Sequence, residues 1–100
     1  MSVFVVGQGR VEDSEKLSRY AEAAGPTLIS GGAKLLAIDA NSEIIEGEPP
    51  GPRTVILEFE SKEAFRAWYD SPEYQSILGM RLEAAPGTLV VAEGFVPPSE

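Results

Sequence analysis

The fold prediction starts from one segment, Arg53-Thr-Val-Ile-Leu-Glu-Phe-Glu-Ser-Lys-Glu-Ala-Phe-Arg-Ala-Trp-Tyr-Asp-Ser-Pro-Glu-Tyr74. Its first part is rich in β-branched and aromatic residues, which predicts a strand over Thr54–Phe59. Ser61 can accept a hydrogen bond from the free backbone N–H groups at the start of a helix, so a helix is predicted to follow it. Ser71-Pro72 then provides the N-cap and the first residue of another helix. The segment therefore predicts a strand followed by a helix in two parts.

The remaining elements complete an α+β plan. The predicted strands are Val3–Val11, Lys34–Ala40, Ser42–Glu46, Thr54–Phe59 and Thr88–Phe95, and the second and third of these form a hairpin. A first helix begins after the N-cap Asp13, and Gly25-Pro26 is predicted to kink or end it. The last helix has an apolar stripe made of Tyr74, Ile77, Leu78, Leu82 and Ala85. Apart from the extra strand in the middle of the chain, the order is β-α-β-β-α-β, a ferredoxin-like sandwich in which an antiparallel sheet carries its helices on one face.

The length and composition of the chain indicate one compact domain. With 100 residues and 43% hydrophobic content, the chain is long enough for one core. We expect residues 1–96 to form a single domain and residues 97–100 to form a flexible tail. No segment approaches the roughly 18 consecutive apolar residues of a membrane span, so we expect a cytoplasmic protein without a membrane partner.

The residue types that are missing restrict the possible chemistry. The sequence contains no cysteine and no histidine. A thiolate metal site, a cysteine nucleophile and a Ser/His/Asp triad are therefore excluded, and we expect neither a metal nor a cofactor. The net charge is -8 and no cluster of Lys and Arg offsets it, which argues against nucleic acid as a partner.

Both faces of the predicted sheet carry apolar residues. In the strand Thr54–Phe59, Leu57 points to one face and Ile56 to the other, and both phases of the first strand are apolar as well. The helices cover only one face, and burying an exposed valine or isoleucine stabilises a protein by roughly 1.5 to 3 kcal/mol. A bare apolar patch is typical of an interface, so we expect a homodimer joined through the sheet faces.

The sequence resembles the DUF1330 family of the ferredoxin-like dimeric α/β-barrel superfamily over nearly its whole length. The matching segments are Ser14–Ala24, Ile45–Gly47, Leu57–Phe59, Ala67–Tyr74 and Val91–Gly94, of which the run from Trp68 to Tyr74 is the most specific. The resemblance implies that two subunits pair their open sheet faces and carry their helices outside. Two positions depart from the family pattern, because Ser14 stands where proline is common and Gln8 stands where a basic residue is frequent.

Three aromatic residues, Tyr20, Trp68 and Tyr74, are candidate ligand-binding residues. Their helical spacing is also typical of core packing, which is the default role of Tyr20 and Trp68. The resemblance implies a pocket between the helices and the sheet, since related cofactor-free monooxygenases of the superfamily place their substrate there.

Glu58, Arg10 and Gln8 are the candidate polar residues. Glu58 lies on the same strand face as Ile56, and Gln8 and Arg10 share one phase of the first strand. A carboxylate on a buried face must be paired or protonated. Two interpretations stay open: Glu58 forms an interface salt bridge with Arg10 or lies at the rim, or these residues bind a ligand or transfer a proton.

The leading functional hypothesis is a small dimeric module that binds a small apolar or carboxylic metabolite without a cofactor. It rests on a well-defined fold pattern that lacks a recognisable catalytic constellation. The alternative is a cofactor-independent enzyme of monooxygenase or isomerase type, which would use a pocket carboxylate or a tyrosine for proton transfer. A purely structural role in a larger assembly is a third possibility.

Overall fold

A computed structural model describes residues 1–98 and contains four strands and three helices. Their bounds in chain order are β1 Val3–Gly9, α1 Ser14–Ser30, β2 Lys34–Asp39, β3 Arg53–Phe59, α2 Lys62–Tyr69, α3 Pro72–Ala84 and β4 Gly87–Glu93. The strands form one antiparallel sheet in the order β2-β3-β1-β4. The chain therefore has the predicted ferredoxin-like β-α-β-β-α-β fold, in which α2 and α3 are the two parts of the second helix.

The two serine caps predicted from the sequence both form. The Ser61 hydroxyl accepts a hydrogen bond from the backbone N–H of Ala64 at 3.0 Å, at the start of α2. The Ser71 hydroxyl accepts one from the backbone N–H of Tyr74 at 3.2 Å, and Pro72 begins α3. These short-range bonds satisfy N–H groups that have no partner within their helix, so each helix starts at a defined residue.

Helix α1 starts after the predicted N-cap Asp13 but does not end at Gly25-Pro26, and it continues to Ser30. The proline removes one backbone donor from the helix interior. Glycine before the proline has no Cβ to collide with the proline ring, which relieves the usual restriction on that position. The hydroxyl of Thr27 also donates to the carbonyl oxygen of Ala24 at 2.7 Å, so this turn of the helix has an additional bond.

The predicted hairpin between Lys34–Ala40 and Ser42–Glu46 is wrong, because residues 42–46 form no strand. Strand β2 pairs with β3 instead, and residues 40–52 connect them. The backbone N–H of Ser42 donates to the carbonyl oxygen of Pro52 at 2.8 Å, which closes this connection at its base. Ile44 and Ile45 are 46% and 78% exposed, so the segment has no sheet neighbour that would bury them.

The ends of two strands also differ from the prediction. Strand β1 ends at Gly9, and the backbone N–H of Arg10, just beyond it, donates to the carbonyl oxygen of Pro86 at 3.2 Å. Strand β4 ends at Glu93, and Phe95 beyond it is 84% exposed. Of the predicted flexible tail at 97–100, residues 99 and 100 lie outside the described residues. None of the helices within residues 1–98 is long and apolar enough to cross a membrane.

The core lies between the sheet and the helices. Its buried members are Val3, Val5, Leu57, Phe59, Phe65, Trp68 and Tyr74. The ring centroids of Trp68 and Tyr74 are 4.0 Å apart, and the Trp68 side chain is only 5% exposed. The indole N–H of Trp68 donates to the Thr27 hydroxyl at 3.0 Å, so α2 is bonded to α1 as well as packed on the sheet.

We predict that Trp68→Ala lowers the free energy of unfolding by about 3 to 5 kcal/mol, because it empties the centre of the aromatic cluster. Thr27→Val should cost about 1 to 3 kcal/mol, since the buried indole N–H loses its acceptor. Lys62→Ala, at an exposed position of α2, is the control and should change stability by less than about 0.5 kcal/mol. Denaturant unfolding followed by circular dichroism measures all three, and a loss near zero for Trp68→Ala would contradict its place in the core.

Candidate functional site

A cavity of about 220 Å³ lies between the sheet and the helices α1 and α3. Most of its wall is apolar and is formed by Val5, Ala24, Leu28, Val55, Leu57, Trp68 and Leu89. Leu35 and Ile38 of β2 also line it, and they are 59% and 58% exposed. The cavity is therefore enclosed near β1 and open to solvent at the β2 edge of the sheet.

Two glycines of β1 border the cavity in different ways. Gly7 has the same strand phase as the buried Val5, yet it has no side chain to fill the space in front of it. A Cβ added there would lie 3.2 Å from Cδ1 of Leu89, the mobile end of a side chain. A Cβ added at Gly9 would lie 2.5 Å from the carbonyl oxygen of Pro86, so glycine permits a close backbone approach at that position.

Tyrosine and arginine side chains form the polar part of the cavity wall. The Oη atoms of Tyr20 on α1 and Tyr74 on α3 are 2.7 Å apart and share a hydrogen bond. The Nε of Arg81 donates to the Tyr74 hydroxyl at 3.2 Å, and Arg53 at the start of β3 also lines the cavity. Among the described residues that line it there is no Asp or Glu, so this part of the cavity is positively charged.

The surroundings of Tyr20 favour its neutral form. Burial raises the pKa of Tyr20 above its ordinary value, and the neighbouring Tyr74 raises it further through charge repulsion and the shared hydrogen bond. Arg81 and Arg53 act in the opposite direction but do not outweigh these effects. Tyr20 is therefore a neutral hydrogen-bonding group at physiological pH and not a proton acceptor.

Arg53 is influenced by the same group of side chains. Burial lowers the pKa of Arg53, Tyr20 opposes that change, and Arg81 adds to it. Both arginines line the same cavity. An arginine retains its charge throughout the physiological range, so two positive charges share one partly desolvated region.

The sequence patterns did not single out Arg53 and Arg81, although a signal for both was present. Arg53 has the strand phase of the buried Leu57 and so points toward the helices. Arg81 follows Tyr74 by two helical turns and lies on the inward face of α3, whereas Leu82, which was predicted to be part of the apolar stripe, is 55% exposed. A charged residue on the buried phase of a strand and another on the buried phase of a helix are the features that would have identified them.

The structure brings together four of the six predicted site residues around the cavity, and they are Gln8, Tyr20, Trp68 and Tyr74. Trp68 and Tyr74 also belong to the buried core, and Tyr20 is partly buried against it. Gln8 borders the same cavity, but its side-chain amide donates to the Thr54 hydroxyl at 3.3 Å on the other face of the sheet.

Glu58 and Arg10 lie away from the cavity and from each other within the chain. Arg10 follows β1 and forms an exposed ion pair with Glu12, with Nε and Oε2 3.2 Å apart. Glu58 lies on the bare sheet face, aligned across the strands with Phe4 and Lys34. A contact between Arg10 and Glu58 of two subunits stays a prediction.

The bare sheet face has an apolar row at its centre. The pairing register places four residues side by side across the strands, and they are Ala37, Ile56, Val6 and Val90. Val90 is 55% exposed, because no helix covers this side. The predicted two-sided apolar pattern is therefore present in the folded chain.

A wider groove of about 630 Å³ lies on the outer side of the helices, between the end of α1 and the start of α3. It is larger than the cavity, but its walls are mainly small or exposed residues, and Glu73 is the charged residue that lines it. Within residues 1–98, no three acidic side chains form a group that could hold a metal ion. The cavity under α1 and α3, where several polar groups converge on an apolar space, is the better candidate site.

We predict that Tyr20 makes the stability of the protein dependent on pH at high pH only. Below about pH 10 the phenol is neutral in both the folded and the unfolded chain. Above that pH the unfolded chain releases the proton while folded Tyr20 keeps it, so the free energy of unfolding falls by up to about 1.4 kcal/mol per pH unit. Tyr20→Phe should reduce the fall of the unfolding free energy with pH, measured by denaturant titrations from pH 8 to 11. The difference in unfolding free energy between the two proteins at pH 8 is the reference. An unchanged slope would contradict the burial of the hydroxyl.

Comparison with known proteins agrees with the fold. Residues 2–95 match the sequence profile of DUF1330, which is described as a domain of unknown function. Comparison with curated protein sequences gave no match. Several solved structures, in contrast, share the fold at low sequence identity, which establishes the fold alone.

A protein of unknown function from Rhodopseudomonas palustris has a TM-score of 0.78 and 18% identity, over 96% of this chain and 84% of that one. A dimeric ferredoxin-like protein of unknown function from Jannaschia sp. CCS1 has a TM-score of 0.67 and 18% identity, over 96% of this chain and all of that one (100%). SnoaB, a cofactor-independent oxygenase from Streptomyces nogalater, has a TM-score of 0.67 and 16% identity, over 99% of this chain and 98% of that one. Because the family match covers nearly the whole chain, this protein belongs to the DUF1330 family and has a ferredoxin-like fold.

Proposed function

We propose that this protein is a homodimer that binds a small, largely apolar organic molecule in the cavity between its sheet and helices, without a cofactor. The observation that supports it is the cavity itself, which has an apolar wall and one polar region inside an otherwise packed domain. Ligand sites have this composition, because apolar surface supplies affinity and a few polar groups fix orientation. A domain that served only as a structural partner would gain stability by filling this space.

The dimensions of the cavity limit the ligand. An engineered cavity of about 150 Å³ holds one benzene molecule. The cavity of about 220 Å³ therefore suits a molecule with a single ring and a short substituent. The opening beside Leu35 and Ile38 provides the entry path, since both side chains are more than half exposed.

A cofactor-independent enzyme is the second candidate, and the fold shared with SnoaB favours it. Two features of the cavity favour binding over catalysis. Its described lining contains no carboxylate, and the raised pKa of Tyr20 makes that phenol a poor proton acceptor. Mass spectrometry of a bound molecule recovered after incubation in air separates the two functions: an unchanged molecule agrees with binding, and an oxidised or isomerised one with an enzyme.

The bare face of the sheet supports the homodimer. The apolar row at its centre is flanked by a row that contains Gln8, Thr54 and Thr88 and by a row that contains Glu58. Apolar centres with polar borders are typical of protein interfaces. A two-fold axis through this face would bring each central residue near its own copy, and the ferredoxin-like protein from Jannaschia is described as dimeric.

We predict that Gly7→Val abolishes ligand binding and leaves the protein folded. The new side chain occupies cavity space, and its Cβ would lie 3.2 Å from Cδ1 of Leu89, which is the end of a flexible side chain. Gly79→Val is the matched control, since Gly79 is exposed on α3 and an added Cβ there meets nothing within 4 Å. In a thermal-shift screen, a compound at 100 times its Kd stabilises a binding protein by about 2.7 kcal/mol. Compounds that stabilise Gly7→Val as strongly as the wild type would place the binding site elsewhere.

We predict that Ile56→Lys converts the dimer to a monomer, because it places two positive charges at the centre of the paired sheet faces. Ala23→Lys, at an exposed position of α1, adds the same charge on the opposite side of the domain and should leave the mass unchanged. Light scattering at micromolar concentration gives the mass of each protein. A wild-type protein that stays monomeric at high concentration would show that the apolar row is not an interface.

A further inference from the structure

We infer that Arg53 and Arg81 form a carboxylate-binding site at the polar end of the cavity, so that the ligand is a carboxylic acid with a single ring. This inference rests on the proposed binding function and specifies the ligand class and the residues that recognise it. Neither arginine belongs to the set of site residues that the sequence predicted.

The two arginines come from parts of the chain that only the fold brings together. Arg53 opens β3 on the face that is buried by the helices, and Arg81 lies near the end of α3 on the face that is buried by the sheet. In both elements the neighbouring positions of the same phase are apolar, such as Val55 beside Arg53. A cation on the inward side of two packed elements is costly, which makes it a candidate for function.

Neither arginine has an acidic partner among the described residues. The ion pairs among the described residues lie elsewhere on the surface. They join Arg10 to Glu12, Lys16 to Glu83 and Arg66 to Asp70. Arg81 uses one donor on the Tyr74 hydroxyl. A guanidinium group carries five N–H donors in a plane, so most donors of this pair are available.

The available donors point to a ligand because they are not sealed in the core. No buried side-chain nitrogen or oxygen in the described chain lacks a hydrogen-bond partner. The remaining guanidinium N–H groups are therefore accessible to solvent, and both arginines line the cavity, where a bound molecule could accept hydrogen bonds from them. A carboxylate matches the planar fork of arginine and would offset the repulsion between the two cations.

The charge of the whole protein strengthens this inference. The chain has a net charge of -8, so an anion is not attracted to it in general. A local pair of cations is the feature that would let an acid bind against this unfavourable field. Burial also lowers the pKa of Arg53, as expected for a cation without a counterion in a partly desolvated space.

The arrangement of the aromatic residues fixes the orientation of such an acid. The ring centroids of Trp68 and Tyr74 are 4.0 Å apart, and the Tyr74 hydroxyl shares a hydrogen bond with the Tyr20 hydroxyl. A ring placed against these aromatic groups extends its carboxylate toward Arg53 and Arg81, and the Tyr20 hydroxyl is within the same polar region. Benzoate and cyclohexanecarboxylate are the simplest probes with these properties.

The test compares each acid with its neutral amide. Fluorescence of Trp68, the single tryptophan of the chain, measures binding of benzoate, benzamide, cyclohexanecarboxylate and cyclohexanecarboxamide. In the wild type, each acid should bind at least about tenfold more tightly than its amide. Arg53→Gln and Arg81→Gln should each weaken the acids by about tenfold or more and change the amides by less than about twofold. Arg19→Gln, which removes an exposed arginine of α1, is the charge-matched control and should change neither.

Each outcome decides between the inference and the proposed function. Acids and amides that bind equally well, with no effect of either arginine, would refute the carboxylate site and leave the binding function intact. Absence of binding by any probe up to about 10 mM would refute both. The variants must also retain the thermal midpoint of the wild type or exceed it, because they remove an unpaired charge. A large loss of stability would assign the arginines a structural role and refute the inference.

Discussion

The register between β1 and its two neighbours determines most of what this domain can do. With Val5 opposite Leu57 on one side and Val91 on the other, the odd-numbered residues of β1 face the helices. The even-numbered residues face away and build the bare apolar row. A shift of one residue would exchange the two sets, because side chains alternate along a strand. The core, the cavity and the bare face therefore all depend on this single alignment.

The same alignment explains why a cavity forms in so small a domain. The first two inward positions of β1 are valines that are 1% exposed, and the next two are Gly7 and Gly9. The core is consequently dense at one end of the strand and empty at the other. The glycines bring β1 close to Pro86 at one point and leave space under Tyr20 at the other. A local change in side-chain volume thus divides one continuous layer into a core and a binding site.

Short-range interactions account for the parts of the fold that the sequence predicted well. Ser61 and Ser71 cap helices through bonds to residues three positions away, and the sequence contains everything that such a bond requires. The segment Ser42–Glu46 was assigned to a strand because its local pattern is strand-like. It forms no strand because β2 pairs with β3 across a long connection. A local sequence pattern does not determine which strands pair.

The candidate site was predictable to a similar extent. Helical spacing identified Tyr20, Trp68 and Tyr74 as inward-facing, and these residues do surround the cavity. Apolar spacing alone favours Leu82 as the next member of the stripe, but Arg81 is the residue that lies two turns after Tyr74 and faces inward. The side of a helix that contacts a sheet is set by packing, and a one-position error in phase exchanges a leucine for an arginine.

Stability and function oppose each other in the cavity, and this opposition separates a binding site from a packing defect. A packing defect is an empty apolar space, and filling it with apolar side-chain groups stabilises the folded state. Here the space is bordered by two cations and a pair of phenols, which add desolvation and repulsion to the cost of the void. Replacing either arginine by an apolar residue would stabilise the folded state, so packing alone does not account for the two arginines. A ligand that supplies both an apolar ring and a negative charge would offset all of these costs at once, and neither a ring nor a charge alone would do so.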